Sequence, residues 1–132
     1  MTRKQFLSVV SFVTLAVGSL ASFFPAVLLD GKGVAANQAA NVWVREVGVL
    51  LIAVGVTSFL VRGDEDSPTL RSFFIGNLIL QIGLFPIEVV AYLNGTITRL
   101  SGILPNSVLH VLLAIGFSYF LMKMKAGVDS TI

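Results

Sequence analysis

The chain has 132 residues, of which 55% are hydrophobic and 12% are charged, and its mean hydropathy is +0.91. Soluble domains carry about 25% charged residues, so this composition is that of an integral membrane protein. The basic residues stand at the ends of apolar stretches rather than in a stripe, so the net charge of +2 does not indicate nucleic-acid binding. The chain has no cysteine, which excludes disulfides, Cys-ligated metal centres and thiol chemistry.

Four apolar stretches predict four transmembrane helices, because about 20 apolar residues cross about 30 Å of hydrocarbon. The spans cover approximately residues 6–29, 42–61, 73–93 and 107–122. The first span is too long for a signal peptide, whose apolar region has about 7–15 residues, so we expect it to be retained, with Pro25 loosening its last turns. The predicted fold class is all-α: one transmembrane domain over residues 1–132, folded as an integral membrane four-helix bundle.

Basic residues in the short loops predict the orientation of the bundle. One side holds six of them: Arg3, Lys4, Arg62, Arg71, Lys123 and Lys125. The other side holds three: Lys32, Arg45 and Arg99. This asymmetry predicts that both the N and the C terminus are cytoplasmic, in a multi-pass protein of the cell membrane.

The loop after the third span carries a helical pattern of its own. It begins with the turn pair Asn94-Gly95 and then spaces Ile97, Leu100 and Leu104 at helical intervals. We therefore expect a short helix that lies in the membrane interface before the fourth span begins.

Four glycines predict how the second and third spans pack. Gly48 and Gly55 lie seven residues apart in the second span, and Gly76 and Gly83 lie seven apart in the third. A hairpin that turns at Glu65-Asp66 brings each glycine of one span to the depth of a glycine in the other. Because glycine lets membrane helices approach closely, we predict a close-packed hairpin. The alternative is that glycine is simply common in membrane helices.

The third span also carries polar residues at Asn77, Gln81 and Glu88. At about 100° per residue, these three positions lie within about 40° of one another and form one polar stripe, roughly opposite Gly83. Hydrocarbon does not tolerate unpaired polar groups, so the stripe must face another helix, an internal cavity or another subunit. A carboxylate at membrane depth is a candidate functional residue by default, which singles out Glu88.

Three further residues are predicted to gather around Glu88. The hairpin register places Arg45 and Glu46 at nearly the depth of Glu88, and His110 lies about one turn inside the fourth span on the same side. A cluster of mixed charge lowers the cost of each member. The predicted site for a ligand or partner therefore comprises Arg45, Glu46, Asn77, Gln81, Glu88 and His110.

Each of these residues also has a structural role open to it. Arg45 can snorkel to headgroups, and Glu46 can favour the helix dipole. Asn77 and Gln81 can join helices by hydrogen bonds, and His110 can be a satisfied packing residue.

Catalytic and cofactor templates fit the chain poorly. No serine is placed as a nucleophile beside His110 and Glu88, so no catalytic residue is predicted. The ligand spacing matches no metal motif, so no metal site is predicted, and the cofactor is left undetermined.

An Arg enters the second span in Trp43-Val44-Arg45-Glu46-Val47-Gly48, a carboxylate comes late in the third in Pro86-Ile87-Glu88, and His110 comes early in the fourth. In this layout the chain resembles the DoxX-like group of small four-span bacterial membrane proteins. The resemblance implies an inner-membrane four-helix bundle with a polar site formed by Arg45, Glu88 and His110. Some members of the group associate with redox or respiratory partners, and the resemblance implies no particular reaction.

Three functions remain open. The first is a non-catalytic accessory subunit or binding module that docks a partner protein, a lipid or a quinone-like ligand, within a larger membrane complex or a homo-oligomer. The second is a membrane enzyme for a lipid or isoprenoid substrate, with Glu88 and His110 as an acid–base pair. The third is proton or ion conduction along the polar stripe.

Overall fold

The computed structural model describes residues 1–124, and Lys125, which counted towards the predicted orientation, lies outside them. The described chain is all-α, and four of its helices are long and apolar enough to cross a membrane, which confirms the predicted all-α class and the predicted number of membrane-length helices. Its elements are α1 (Arg3–Phe23), α2 (Pro25–Gly31), α3 (Gln38–Leu60), a 3₁₀ turn (Val61–Gly63), α4 (Pro68–Leu93) and α5 (Leu100–Lys123).

Local sequence signals set most helix boundaries. Thr2, Asn37 and Ser67 are the N-caps of α1, α3 and α4, and each side-chain oxygen accepts a hydrogen bond from a backbone N–H of the first turn. Pro25 does more than loosen the predicted first span. It ends α1 and begins the separate short helix α2, because proline fits the first position of a helix and disrupts the interior.

The fourth membrane helix is longer than predicted. It begins at Leu100 instead of near residue 107, so the segment expected to lie as a separate interfacial helix forms the first turns of α5. Pro105 lies inside α5 and removes one helical hydrogen bond. Membrane helices tolerate such a proline where neighbouring groups satisfy the freed backbone.

The membrane-length helices pack chiefly as two pairs, α1 with α3 and α4 with α5. In the first pair the backbones nearly touch. A Cβ atom at Gly48 would lie 2.6 Å from the backbone nitrogen of Ser22 and 2.8 Å from the carbonyl oxygen of Gly18. A Cβ atom at Gly55 would lie 2.8 Å from the hydroxyl oxygen of Thr14. Glycine is therefore required for this approach.

The predicted glycine contact between the second and third spans is not formed. Gly48 and Gly55 pack on α1, whereas a Cβ atom at Gly76 or Gly83 would meet nothing within 4 Å. The physical reason is that α1 offers α3 a face of small residues around Gly18. The glycines of α4 stand among large exposed residues such as Ile79 and Ile82.

A phenylalanine-rich core joins α1, α4 and α5 near the end of the bundle where α1 begins and α5 ends, which we call the terminal end. Phe117 lies edge-on to Phe6, with ring centroids 5.0 Å apart, and to Phe74, at 5.4 Å. Arg3 closes the same end by pairing with the Asp66 carboxylate. The opposite end, where α3 and α5 begin, is called the site end.

Matched glycine substitutions test this packing. Gly48→Ala places a methyl group against the backbone of α1, so we expect it to lower the free energy of unfolding by about 1–3 kcal/mol. Gly83→Ala meets open space, so we expect no loss of stability, and a gain of up to about 1 kcal/mol from helix propensity. Unfolding in detergent micelles measures both. Equal destabilisation by the two substitutions would favour the glycine hairpin between α3 and α4 instead.

Candidate functional site

Polar residues meet in the interface of α4 and α5 towards the site end. Gln81 and Glu88 lie seven residues apart on α4, and Asn106 and His110 lie four apart on α5, so each pair shares one helix face. Gln81 and His110 are only 6% and 9% exposed. Side chains buried this deeply need hydrogen-bond partners within the protein.

A continuous chain of hydrogen bonds supplies these partners. The Asn106 amide donates from Nδ2 to Glu88 Oε1 at 2.7 Å and to His110 Nε2 at 3.2 Å. His110 Nδ1 then donates to Gln81 Oε1 at 2.6 Å. These partners assign the neutral imidazole with its proton on Nδ1, because Nε2 must accept from the amide.

The cation beside Glu88 is Lys32, whose Nζ pairs with Glu88 Oε1. The Lys32 and Glu88 side chains are only 19% and 12% exposed, so both charges are largely withdrawn from solvent and depend on each other. Together with Lys32, the hydrogen-bonded residues form what we call the polar network: Lys32, Gln81, Glu88, Asn106 and His110.

The turn after α2 holds Lys32 in place. Gly33, at φ +70°, closes a Schellman turn at the end of α2, a conformation that favours glycine. The Lys32 carbonyl accepts hydrogen bonds from the backbone N–H groups of Thr98 and Arg99, at 3.1 and 3.2 Å. A Cβ atom at Gly102 would lie 2.6 Å from Lys32 Cα, so the start of α5 packs directly on this turn. We call this arrangement the turn clasp.

The predicted polar stripe lies in the helix interfaces of the bundle. Gln81 and Glu88 contact α5 through the polar network. Asn77 lies one turn further from the site end and is 5% exposed. Its amide nitrogen donates to the carbonyl oxygen of Phe73 at 2.9 Å, and its Oδ1 is buried without a partner. Of the environments left open by the sequence, the structure selects a neighbouring helix, mainly α5.

Arg45 and Glu46 do not join the network. Both are exposed on α3, and within residues 1–124 neither forms an ion pair or a side-chain hydrogen bond. The expected pairing of Arg45 with Glu88 is not formed because α3 packs on α1, away from the α4–α5 interface. His110 does reach Glu88, but through the Asn106 amide.

Lys32 and Asn106 are site residues that the sequence reasoning missed. The sequence analysis used Lys32 only to predict the orientation of the bundle. Its position beside Glu88 depends on the turn clasp, which the sequence did not predict. Asn106 was assigned to a loop, although it lies four residues before His110. That spacing was the available signal, because it places the two side chains on one face if the helix begins early.

An outward-facing apolar groove of about 270 Å³ borders the network. Ser107 follows Asn106 by one residue, about 100° round α5, and thus lies between the network and the groove. Ser107 is 9% exposed, and its Oγ is buried without a hydrogen-bond partner, as is Glu88 Oε2. The groove is lined by Phe85, Leu104, Ser107, Val108, Val111 and Leu112.

The two unpartnered oxygens define what the site can bind. More than about 90% of buried polar groups in proteins are hydrogen-bonded, and an unsatisfied one costs about 1–3 kcal/mol. Glu88 Oε2 can accept a hydrogen bond, and Ser107 Oγ can donate or accept one. The site therefore offers polar contacts beside an apolar surface.

Substitutions at the two candidate cations test which of them satisfies Glu88. Lys32→Met leaves the carboxylate without its cation, so we expect the free energy of unfolding to fall by about 1–3 kcal/mol. The double variant Lys32→Met/Glu88→Gln removes both charges and should recover most of that loss. Arg45→Met is the matched control and, measured on the monomer in excess detergent, should change stability by less than about 0.5 kcal/mol. A larger loss from Arg45→Met than from Lys32→Met, in unfolding titrations, would contradict the assignment.

Comparison of the chain with family models, curated proteins and solved structures found no match. The resemblance to the DoxX-like group therefore stays a prediction. The candidate site is therefore interpreted from its own geometry.

Proposed function

We propose that this is a non-catalytic multi-pass membrane protein that binds an amphiphile, a lipid or a quinone-like molecule, between α4 and α5 at the site end. One observation carries the proposal: Ser107, whose Oγ is buried without a partner, lines the apolar groove and directly follows Asn106 of the polar network. Lipids and quinone-like molecules share a head that forms hydrogen bonds and a long apolar tail. Such a molecule matches both parts of the site.

The position of the groove supports a hydrocarbon tail as its occupant. Leu104, Val108 and Leu112 are 49–60% exposed on α5, and Phe85 of α4 forms the opposite wall. In a membrane these residues face acyl chains rather than water. A tail lying there places its head within reach of Ser107, at the edge of the polar network.

Acid–base catalysis is less well supported by the geometry. Both ring nitrogens of His110 are engaged, by Gln81 and by Asn106, and the Asn106 amide stands between the imidazole and Glu88. A general base must reach the proton that it removes, and His110 has no free nitrogen with which to do so. We therefore prefer a binding function to the enzyme that the sequence left open.

Conduction is less well supported for a related reason. The polar stripe of α4 extends from the site end only as far as Asn77. Beyond them towards the terminal end lies the aromatic core, in which Phe74 and Phe117 are 0% exposed. A proton or ion would leave the polar stripe at this point and would have to pass these closely packed rings.

We also propose the orientation and location of the protein. The excess of basic residues on one side supports cytoplasmic termini, with the site end at the outer surface. The assignment to a bacterial inner membrane rests on the resemblance to the DoxX-like group. In that arrangement the amphiphile enters from the outer leaflet.

The proposal also includes a partner protein, for which this chain would be an accessory subunit.

Retention of the amphiphile through purification tests the binding function. We expect the wild-type protein, extracted from its native membrane in mild detergent, to carry about one amphiphile per chain. Ser107→Ala removes one hydrogen bond and should lower retention by about threefold to tenfold. Val108→Trp fills the groove and should abolish retention. Mass spectrometry of the organic extract measures the ratio and distinguishes a lipid from a quinone-like molecule.

Two variants on α5 are the matched controls. Ser101→Ala removes an exposed hydroxyl outside the groove, and Ile115→Trp enlarges a residue that is 61% exposed and does not line it. Both should retain the amphiphile as the wild type does. A wild-type protein that purifies without an amphiphile, or equal loss from the controls and the groove variants, would contradict the proposal.

A further inference from the structure

The outer side of α3 carries two charges that have no partner within residues 1–124. Arg45 and Glu46 are both exposed, although they lie inside a helix of membrane-spanning length. Trp43, 68% exposed, precedes them, and tryptophan is enriched at the membrane–water interface. Glu46 follows Trp43 by three residues, or about 4.5 Å along the helix, so its short side chain lies towards the hydrocarbon. Charges at this depth are rare unless they have a partner.

The same side of α3 has a regular pattern. Six exposed residues follow one another at alternating intervals of four and three, which is the spacing of the a and d positions of a heptad. Ala53, a small residue, lies in the second half of this line, where it allows a neighbouring helix to approach. We call the line the outer seam: Val42, Glu46, Val49, Ala53, Val56 and Leu60.

The outer seam has no partner within the described chain. The opposite side of α3 packs on α1 through Gly48 and Gly55, which are buried, whereas Val49 and Leu60 of the seam are 61% and 67% exposed. A sustained heptad line is the surface on which membrane helices pair side by side, at shallow crossing angles. The seam is therefore a surface suited to another helix.

We propose that the outer seam pairs with the outer seam of a second copy of this chain, in a two-fold symmetric dimer. Two copies inserted in the same orientation bring their α3 helices together in parallel, about an axis along the membrane normal. In heptad terms Glu46 occupies an a position and Arg45 the preceding g position, which flanks the a position of the facing helix. Arg45 of each copy therefore pairs with Glu46 of the other.

This self-complementarity is what favours a second copy over a different partner. Across a two-fold axis, Arg45 of each copy meets Glu46 of the other, so two equivalent ion pairs form and no charge from a different protein is needed. The pairing lies on α3, apart from the polar network, so it holds or fails independently of the proposed amphiphile site.

Cysteine cross-linking tests the seam directly, because the chain contains no cysteine of its own. Val49→Cys places a thiol on the seam, and Val47→Cys places one about 200° away at nearly the same depth, on a residue that is also exposed, at 49%. In the full chain, reconstituted in phosphatidylcholine vesicles and oxidised, we expect a disulfide-linked dimer from Val49→Cys. Val47→Cys should yield at least about tenfold less. Equal cross-linking at both positions would indicate random collision and overturn the dimer.

Charge exchange tests the reciprocal ion pairs. In the Val49→Cys background, Arg45→Glu or Glu46→Arg alone puts like charges across the seam, so cross-linking should fall by about tenfold. The double exchange Arg45→Glu/Glu46→Arg restores opposite charges and should return cross-linking to within about twofold of the starting level. Thermal unfolding of each variant checks that the monomer fold is kept. Cross-linking that is unchanged by the single exchanges, or that stays lost in the double exchange, would overturn the pairing.

Discussion

Glu88 introduces a carboxylate into the interface of two apolar helices, and the arrangement of the site end follows from the need to satisfy it. In a medium of low dielectric constant a charge is tolerated only when it is paired and hydrogen-bonded. Lys32 supplies the opposite charge, and the Asn106 amide supplies a donor. The turn clasp holds Lys32 at the helix interface. The Asn106 amide also donates to His110, which in turn donates to Gln81, so these two side chains are held in the same network. One carboxylate thus links α4, α5 and the turn after α2 at the site end.

Two different kinds of contact divide the bundle. The α1–α3 pair depends on backbone approach at Gly18 and Gly48, which needs no polar group and no large side chain. The α4–α5 pair depends on the polar network at one end and on the phenylalanine core at the other. Because each helix buries mainly the face that packs on the other helix of its pair, broad outer surfaces stay exposed on α3 and α4. On α3 the surface carries a charged heptad line, whereas the groove lies between α4 and α5.

The helices were predictable from the sequence because length, apolarity and caps are local properties. The interior position of Gln81 and Glu88 was also predictable, because a polar stripe cannot face the hydrocarbon of the membrane. The helix pairing was not predictable, because Gly48 and Gly55 suit two candidate neighbours. Only the complete α1 surface shows that Gly18 meets Gly48 and that Thr14 meets Gly55, whereas Gly76 and Gly83 meet neither. The position of Lys32 beside Glu88 could not be predicted for another reason. A positive-φ turn and backbone hydrogen bonds hold Lys32 there, and neither leaves a periodic signal in the sequence.

The hydrogen bonds of the polar network specify which ring nitrogen of His110 carries the proton. His110 is the single histidine of the chain, so selective ¹⁵N labelling reports on it alone. In lipid bilayers, solid-state NMR of the labelled protein should show a neutral ring protonated at Nδ1, with Nε2 as an unprotonated acceptor. Asn106→Leu, which removes the donor to Nε2, should shift the Nε2 resonance. A ring protonated at Nε2, or a resonance that does not respond to the loss of the Asn106 amide, would contradict the hydrogen-bonded chain that joins Glu88 to His110.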